Sequence, residues 1–281
     1  MNIDDEEFSD AYEQDGFIFP YPVIGASAAR EIRADLEAAE SELANAPEKL
    51  ALLRAYPDRV LPSFDALIRH PRLVAAAQKL LGPDLVVWSA GLFIKEANTP
   101  SYVSWHQDLN YWGLDDAREV TAWVALSPST VASGCMRFIP GSHVDELQPH
   151  KDSFAPDNLL SRGQELAVKV DESKAVDIIL QSGQASLHHG HLFHGSNPNS
   201  TSDRRIGAAI RYMSTSMKQT TGDRSLVALV SGEDRYDHFT IAPAPAGRLL
   251  DENFEQCRID AAIKRKILYA SAEQNGGQRY R

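Results

Sequence analysis

The sequence predicts a mainly β protein with flanking helices (α+β), its strands gathered into a sandwich or jelly-roll barrel. Three observations carry this expectation. Residues 84–214 break into short runs rich in Val, Ile, Phe, Trp and Tyr, separated by Gly, Pro, Ser and Asn. The stretches before and after them place apolar residues at helical spacing. Strands do not alternate with helices, as βαβ units and a parallel sheet would require.

Taken in order, residues 4–14 are expected to form a short helix, and DGFIFPYPVIG (15–25) a turn, an apolar strand and a second turn. In AAREIRADLEAAESELANA, Ala29, Ile32, Leu36 and Ala39 recur every three or four residues, with Ser27 or a neighbour able to cap the start. A second helical stretch runs over about 62–82 through Leu67, Leu73, Ala76, Leu80 and Leu81, and stops at Gly82-Pro83. Strands are expected at 85–96, 101–107, 119–127, 134–140, 176–181, 184–190 and 205–214. Residues 251–273 return to a helical pattern with Phe254, Ile259, Ile263 and Ile267. The polar stretch 141–175 is too long for an ordinary turn, which makes it a candidate lid. The expected organisation is one domain over 1–281, with a helical flank (1–83), a jelly-roll core (84–214) and C-terminal strands and helix (215–281).

Length and composition bound the function. A chain of 281 residues can bury a full core, and 43% hydrophobic and 24% charged residues without repeats argue against disorder or a solenoid. A net charge of -11 excludes the clustered basic surface that nucleic acid requires. The acidic start MNIDDEEF does not resemble a signal peptide, and no apolar run is long enough to span a membrane, so the expected location is the cytoplasm. Cys135 and Cys257 are too few for a disulfide framework and lack zinc-site spacing, and both read as reduced and structural.

The strongest local signal is WHQDLNYWGL (105–114). If 101–107 is a strand, His106 and Asp108 project from one face, and an imidazole and a carboxylate converge on one point. A lone HxD is common by chance, and a strand-end His beside a turn-forming Asp explains it equally well. The second signal is HHGHLFHGSNPN (188–199), with four histidines in seven residues. Two histidines and one carboxylate form the facial triad of non-haem iron oxygenases, whereas a zinc hydrolase more often shows a third His or a Glu placed as base. The third is Arg205, eleven residues after His194 in DRRIGAAIRY. A guanidinium fork suits the far carboxylate of a chelating keto acid, and Ser196 can add a hydroxyl. On an alternating strand Arg205, Gly207, Ala209 and Arg211 share a face and Arg204 takes the other, so Arg211 is the stronger competitor for that role.

Residues 85–214 resemble the phytanoyl-CoA dioxygenase family through FIKE, SWHQDLNYWGL, VTAWVALSPST, SGCMRFIPGSH, HGSNPN and RRIGAAIRY. The resemblance implies a double-stranded β-helix, a distorted cupin-like jelly roll. It also implies iron(II), 2-oxoglutarate as co-substrate, and O2, with His106, Asp108 and His194 as metal ligands. Arg205 and Ser196 are then the co-substrate contacts, and Trp123 and Lys95 match residues near the same pocket. Halogenases of this kind replace the aspartate with a small residue, so Asp108 points to hydroxylation. The implied partner is a small-molecule substrate, with no nucleic acid and no membrane. Candidate substrate-wall residues are Gln107, Asn110, Tyr111 and Trp112, with Arg137, Phe138 and His143; Tyr111 and Trp112 more often pack than bind, and Arg137 has the alternative of pairing with an acidic surface group, while His188, His189 and His191 are candidates for orienting the ligands. A zinc-dependent hydrolase or isomerase on a cupin-like barrel, and a non-catalytic metal-binding protein, remain as alternatives. Oligomeric state is left open.

Overall fold

The computed structural model describes residues 5–145 and 147–274; Asp4, expected to open the first helix, lies outside the described residues with the three residues before it. The chain runs α1 (Asp5–Asp15), β1 (Phe17–Pro22), α2 (Ala26–Glu42), α3 (Pro47–Ala55), α4 (Pro57–Val60), α5 (Pro62–Ile68) and α6 (Pro71–Leu81). Strands follow: β2 (Leu85–Lys95), β3 (Val103–His106), β4 (Glu119–Ala125), β5 (Met136–Phe138), β6 (His150–Asp152), β7 (Gln164–Leu166) and β8 (Val176–Ile178). The chain ends with β9 (Gln184–His188), β10 (His194–Ser196), β11 (Arg205–Ser214), β12 (Leu226–Ser231), β13 (Thr240–Ile241) and α7 (Asp251–Gln274).

A seven-stranded sheet in the order β1-β9-β4-β11-β2-β12-β13 faces a four-stranded sheet in the order β3-β10-β5-β8, and β6 and β7 form a separate hairpin. Every pairing in the two facing sheets is antiparallel except β12 with β13. This is a jelly-roll core, as expected.

The period-2 alternation of β11 explains how the large sheet serves two cores. Ile206, Ala208 and Ile210 point outward and join Leu36, Leu53, Phe64 and Leu73 of the N-terminal helices in one buried cluster. Ala209 points inward with Trp123 and Ala125 of β4, and packs against Met136 and Phe138 of the small sheet. Phe64 is 1% exposed between α5 and the large sheet. Phe64→Ala is expected to cost roughly 3–5 kcal/mol, read as a shift in urea midpoint at unchanged slope.

Several boundaries differ from expectation for local reasons. The 62–82 stretch is two helices, because Pro71 has no N–H to continue α5 and Arg69 closes that helix. Ser27 lies inside α2 rather than at its start, and Gly25 occupies the cap position without a side-chain bond. Helices α3 and α4, strand β10 and the β6–β7 hairpin inside 141–175 were not expected, and the C-terminal strands expected without bounds over 215–281 are β12 and β13. The hairpin loop is fastened to the C-terminal helix. Arg162 donates to Asp152 from Nε (2.9 Å) and to the Leu268 carbonyl from Nη1 (2.6 Å), and its guanidinium lies 5.2 Å from the Tyr111 ring and 5.7 Å from the Tyr269 ring.

Candidate metal centre and its chamber

Three residues far apart in sequence meet where the small sheet ends. β3 and β10 pair so that His106 sits opposite His194, and the extended Gln107 carries Asp108 back to the same face at the start of a 3-10 turn, Asp108–Tyr111. His106 Nε2 lies 3.3 Å and His194 Nε2 3.9 Å from Asp108 Oδ1. The three ligand atoms all lie within 4.8 Å of one another, and all three residues are buried.

The tautomers suit a metal. His106 Nδ1 faces the Ser104 carbonyl and His194 Nδ1 the Leu192 carbonyl, each at 2.9 Å. A carbonyl only accepts, so each Nδ1 carries the proton and each Nε2 presents a lone pair toward Asp108. Burial, with His106 adding to it, holds the His194 ring well below its ordinary range, which keeps it neutral. Burial alone would raise the Asp108 carboxyl, but its contact with His106 and the surrounding His194 and Arg211 outweigh it and hold the group well below the ordinary carboxylate range. Two imidazoles presenting Nε2 and a carboxylate are the donor set of an open non-haem iron site.

The chamber beside these atoms is bounded by Phe93, Thr121, Trp123, Met136, Ser196 and Arg205, among others. Arg205 is 1% exposed, and its Nε and Nη2 have no hydrogen-bond partner among the described residues. Burial pushes this guanidinium down to about 10, so it still carries its charge at neutral pH. Trp123 lies beneath it, with ring centroid 5.0 Å from Arg205 Cζ. Lys95, in register with Arg205, donates to Ser196 Oγ at 2.6 Å and to the Asn197 carbonyl. Ser196 accepts that bond, which leaves its own proton free to point into the chamber. Burial, reinforced by the Arg205 charge, pushes Lys95 down to about 6, and Lys95 reaches the chamber only through Ser196.

A methyl group at Gly207 would lie 1.8 Å from Trp123 Cζ2. Gly207→Ala therefore has to move the ring on which Arg205 rests. The expected result is a stability loss of about 1–3 kcal/mol together with roughly tenfold weaker 2-oxoglutarate binding, measured by melting and by calorimetric titration.

Other expectations need correction. Arg137 points away from the metal, pairs with Glu172 and Asp177, and stacks on Trp105. Phe138 is a core residue, edge-on to Phe17 and packed behind His188 and His194, and it lines neither chamber nor cleft. His143 Nε2 meets the Glu13 carbonyl beneath Gly16, outside the site. Gln107 is a strap, its amide donating to the His191 carbonyl and accepting from the Gln148 amide. Asn110 lines neither cavity. Of the neighbouring histidines only His188 enters the chamber, its ring 4.9 Å from that of His194, while His189 packs against Tyr12, His143 and His191.

Outside the chamber lies a cleft of about 550 Å³, ordinary for a small-molecule site, walled by α3, β2, the 159–164 loop and α7. Tyr111 and Trp112 line it, and Phe93, His106, Asp108 and Arg211 border both spaces. The motifs did not reveal Thr121 or Phe93, although Thr121 shares the parity of Trp123 on β4, and Phe93 sits opposite Gly207.

Comparison with known proteins agrees with this geometry. The non-haem monooxygenase ThoJ in its apo form superposes with a TM-score of 0.85 at 32% identity, over 95% of this chain and 99% of that one. Ectoine dioxygenase of Streptomyces avermitilis is 24% identical over 73% of this chain and 77% of its own length. The probable alpha-ketoglutarate-dependent hypophosphite dioxygenase of Stutzerimonas stutzeri is 25% identical over 56% of this chain and 54% of that protein. The family model for phytanoyl-CoA dioxygenase matches residues 12–207, a span that includes all three converging ligands and Arg205. The chain therefore belongs to the phytanoyl-CoA dioxygenase family, and its reaction class is that of a non-haem iron, 2-oxoglutarate-dependent dioxygenase.

Proposed function

We propose that this enzyme hydroxylates a C–H bond of a small metabolite in the cytoplasm, with His106, Asp108 and His194 holding iron(II) and Arg205 and Ser196 holding the far carboxylate of 2-oxoglutarate. The observation that carries this reading is the pairing of two features in one chamber: three convergent ligand atoms, and a buried arginine whose two unpartnered N–H groups await an anion. A co-substrate with a carboxylate at its far end gives that guanidinium a partner. Two buried free thiols, Cys135 and Cys257, fit a reducing compartment, and among the described residues no helix is long and apolar enough to cross a membrane.

Iron(II) with bound 2-oxoglutarate supplies dioxygen activation coupled to oxidative decarboxylation, releasing succinate and carbon dioxide. The chain's residues position and shield. Arg205 fixes the dicarboxylate tail through its fork, and Trp123 supports that planar fork from one side. The backbone carbonyls of Ser104 and Leu192 lock the two imidazoles. Behind Asp108, Thr121 donates to Glu119 at 2.7 Å; burial, with Asp108 adding to it, outweighs that bond and pushes Glu119 up to about 8. Glu119 is therefore protonated at neutral pH and does not compete with Asp108 for the metal.

Succinate release from 2-oxoglutarate, stimulated by members of a metabolite panel under iron(II) and ascorbate, tests the reading. Chelator should abolish it, iron(II) restore it, and zinc fail to do so. Activity that zinc sustains and 2-oxoglutarate does not affect would sink it.

A further inference from the structure

Arg211 shares the inward face of β11 with Arg205, but it stands at the other side of the metal ligands and borders both the chamber and the outer cleft. Its guanidinium is framed by two rings, with Cζ 5.2 Å from the Trp112 centroid and 5.9 Å from that of Phe93. Among the described residues its sole hydrogen-bond partner is Ser89 Oγ at 3.5 Å, the limit for such a bond; its Nε is buried and unpartnered, and no carboxylate lies within ion-pair distance. Arg204, on the opposite face, bonds Glu40 and Glu96. A half-buried guanidinium lacking a counter-ion is held at a cost in free energy that an arriving anion offsets.

The surrounding cleft says what else that anion carries. Trp88 stacks on Trp112 at 5.0 Å, and Tyr56, Leu159 and Leu268 continue an apolar wall. Lys264, the other cation deep in this wall, is already engaged by the Trp88 carbonyl (2.7 Å) and Asp260 (2.9 Å). Planar apolar surfaces favour a flat or hydrocarbon body, and the fork of an arginine favours a carboxylate. We propose that Arg211 binds the carboxylate of the primary substrate, a small carboxylic acid with an apolar or aromatic body, and so sets its acid end beside the metal. This rests on Arg205, rather than Arg211, holding 2-oxoglutarate.

The test is calorimetric titration of the anaerobic enzyme loaded with iron(II) and 2-oxoglutarate, using 3-phenylpropionate and indole-3-acetate against their primary amides. The acids should bind at least about tenfold more tightly than the amides, Arg211→Gln should erase that difference, and Arg211→Lys should retain part of it. Equal binding of acid and amide, no binding of either, or a preference that survives Arg211→Gln would overturn the proposal. A preserved preference with lost iron would reduce Arg211 to a charge balancing Asp108. A separate titration with 2-oxoglutarate distinguishes failure of the underlying reading: affinity lost in Arg211→Gln and kept in Arg205→Ala would make Arg211 the co-substrate arginine.

Discussion

Asp108→Ala is expected to abolish turnover, by at least about a thousandfold, and to leave the protein without stoichiometric iron. The size of the effect follows from the donor set. His106 and His194 are presented as neutral ligands, so Asp108 supplies the only negative charge among the three convergent groups. It also bridges them, since its Oδ1 faces both imidazole nitrogens. Removing it leaves two neutral ligands that do not compensate the charge of a divalent ion. The metal-free variant should fold normally, because the substitution removes a buried carboxylate and opens little space at the chamber edge. Metal analysis in chloride-free buffer, circular dichroism and the succinate assay separate these outcomes; one iron per chain in the variant under that condition would overturn the ligand assignment.

Arg205→Ala should raise the half-saturating 2-oxoglutarate concentration by roughly a hundredfold or more while leaving iron content intact. The side chain is enclosed and lines the chamber, and its Nε and Nη2 have no partner among the described residues. With co-substrate at saturation the rate should recover substantially, because the lost contact holds the co-substrate tail rather than the reacting atoms. Arg205→Lys should restore little, since an ammonium cannot make the two parallel bonds of a fork. Removing the guanidinium also lifts the charge that helps to depress Lys95, and the metal-free variant should be no less stable than the parent. Unchanged co-substrate affinity would show that the tail lies elsewhere.

Much of this centre was legible in the sequence because it depends on short-range parity. His106 and Asp108 share a face because an extended Gln107 separates them, and Arg205 and Arg211 share a face because β11 alternates without interruption from one to the other. The segment around His194 was legible as chemistry but not as structure: a three-residue strand containing glycine has no periodicity to read, and β10 exists because β3 and β5 flank it. The same non-local pairing decided against Arg137 and Phe138. They neighbour each other on β5, so one must face the core and the other the far side, and only the register with β10 and β8 determines which. Gln107 and His143 failed for a different reason: their partners lie 41 and 130 residues away, one in a loop and the other in α1.

The Arg162 clamp ties the hairpin loop to a carbonyl on α7, 106 residues later in the chain. Two walls of the outer cleft thus move as one piece, and neither contributes a side chain to the metal chamber. This part of the cleft wall is thus written in stretches of polypeptide separate from the iron ligands. Exchanging the loop together with the C-terminal helix offers a route to a new target that leaves the iron ligands untouched, whereas exchanging either one alone would break the fastening between them.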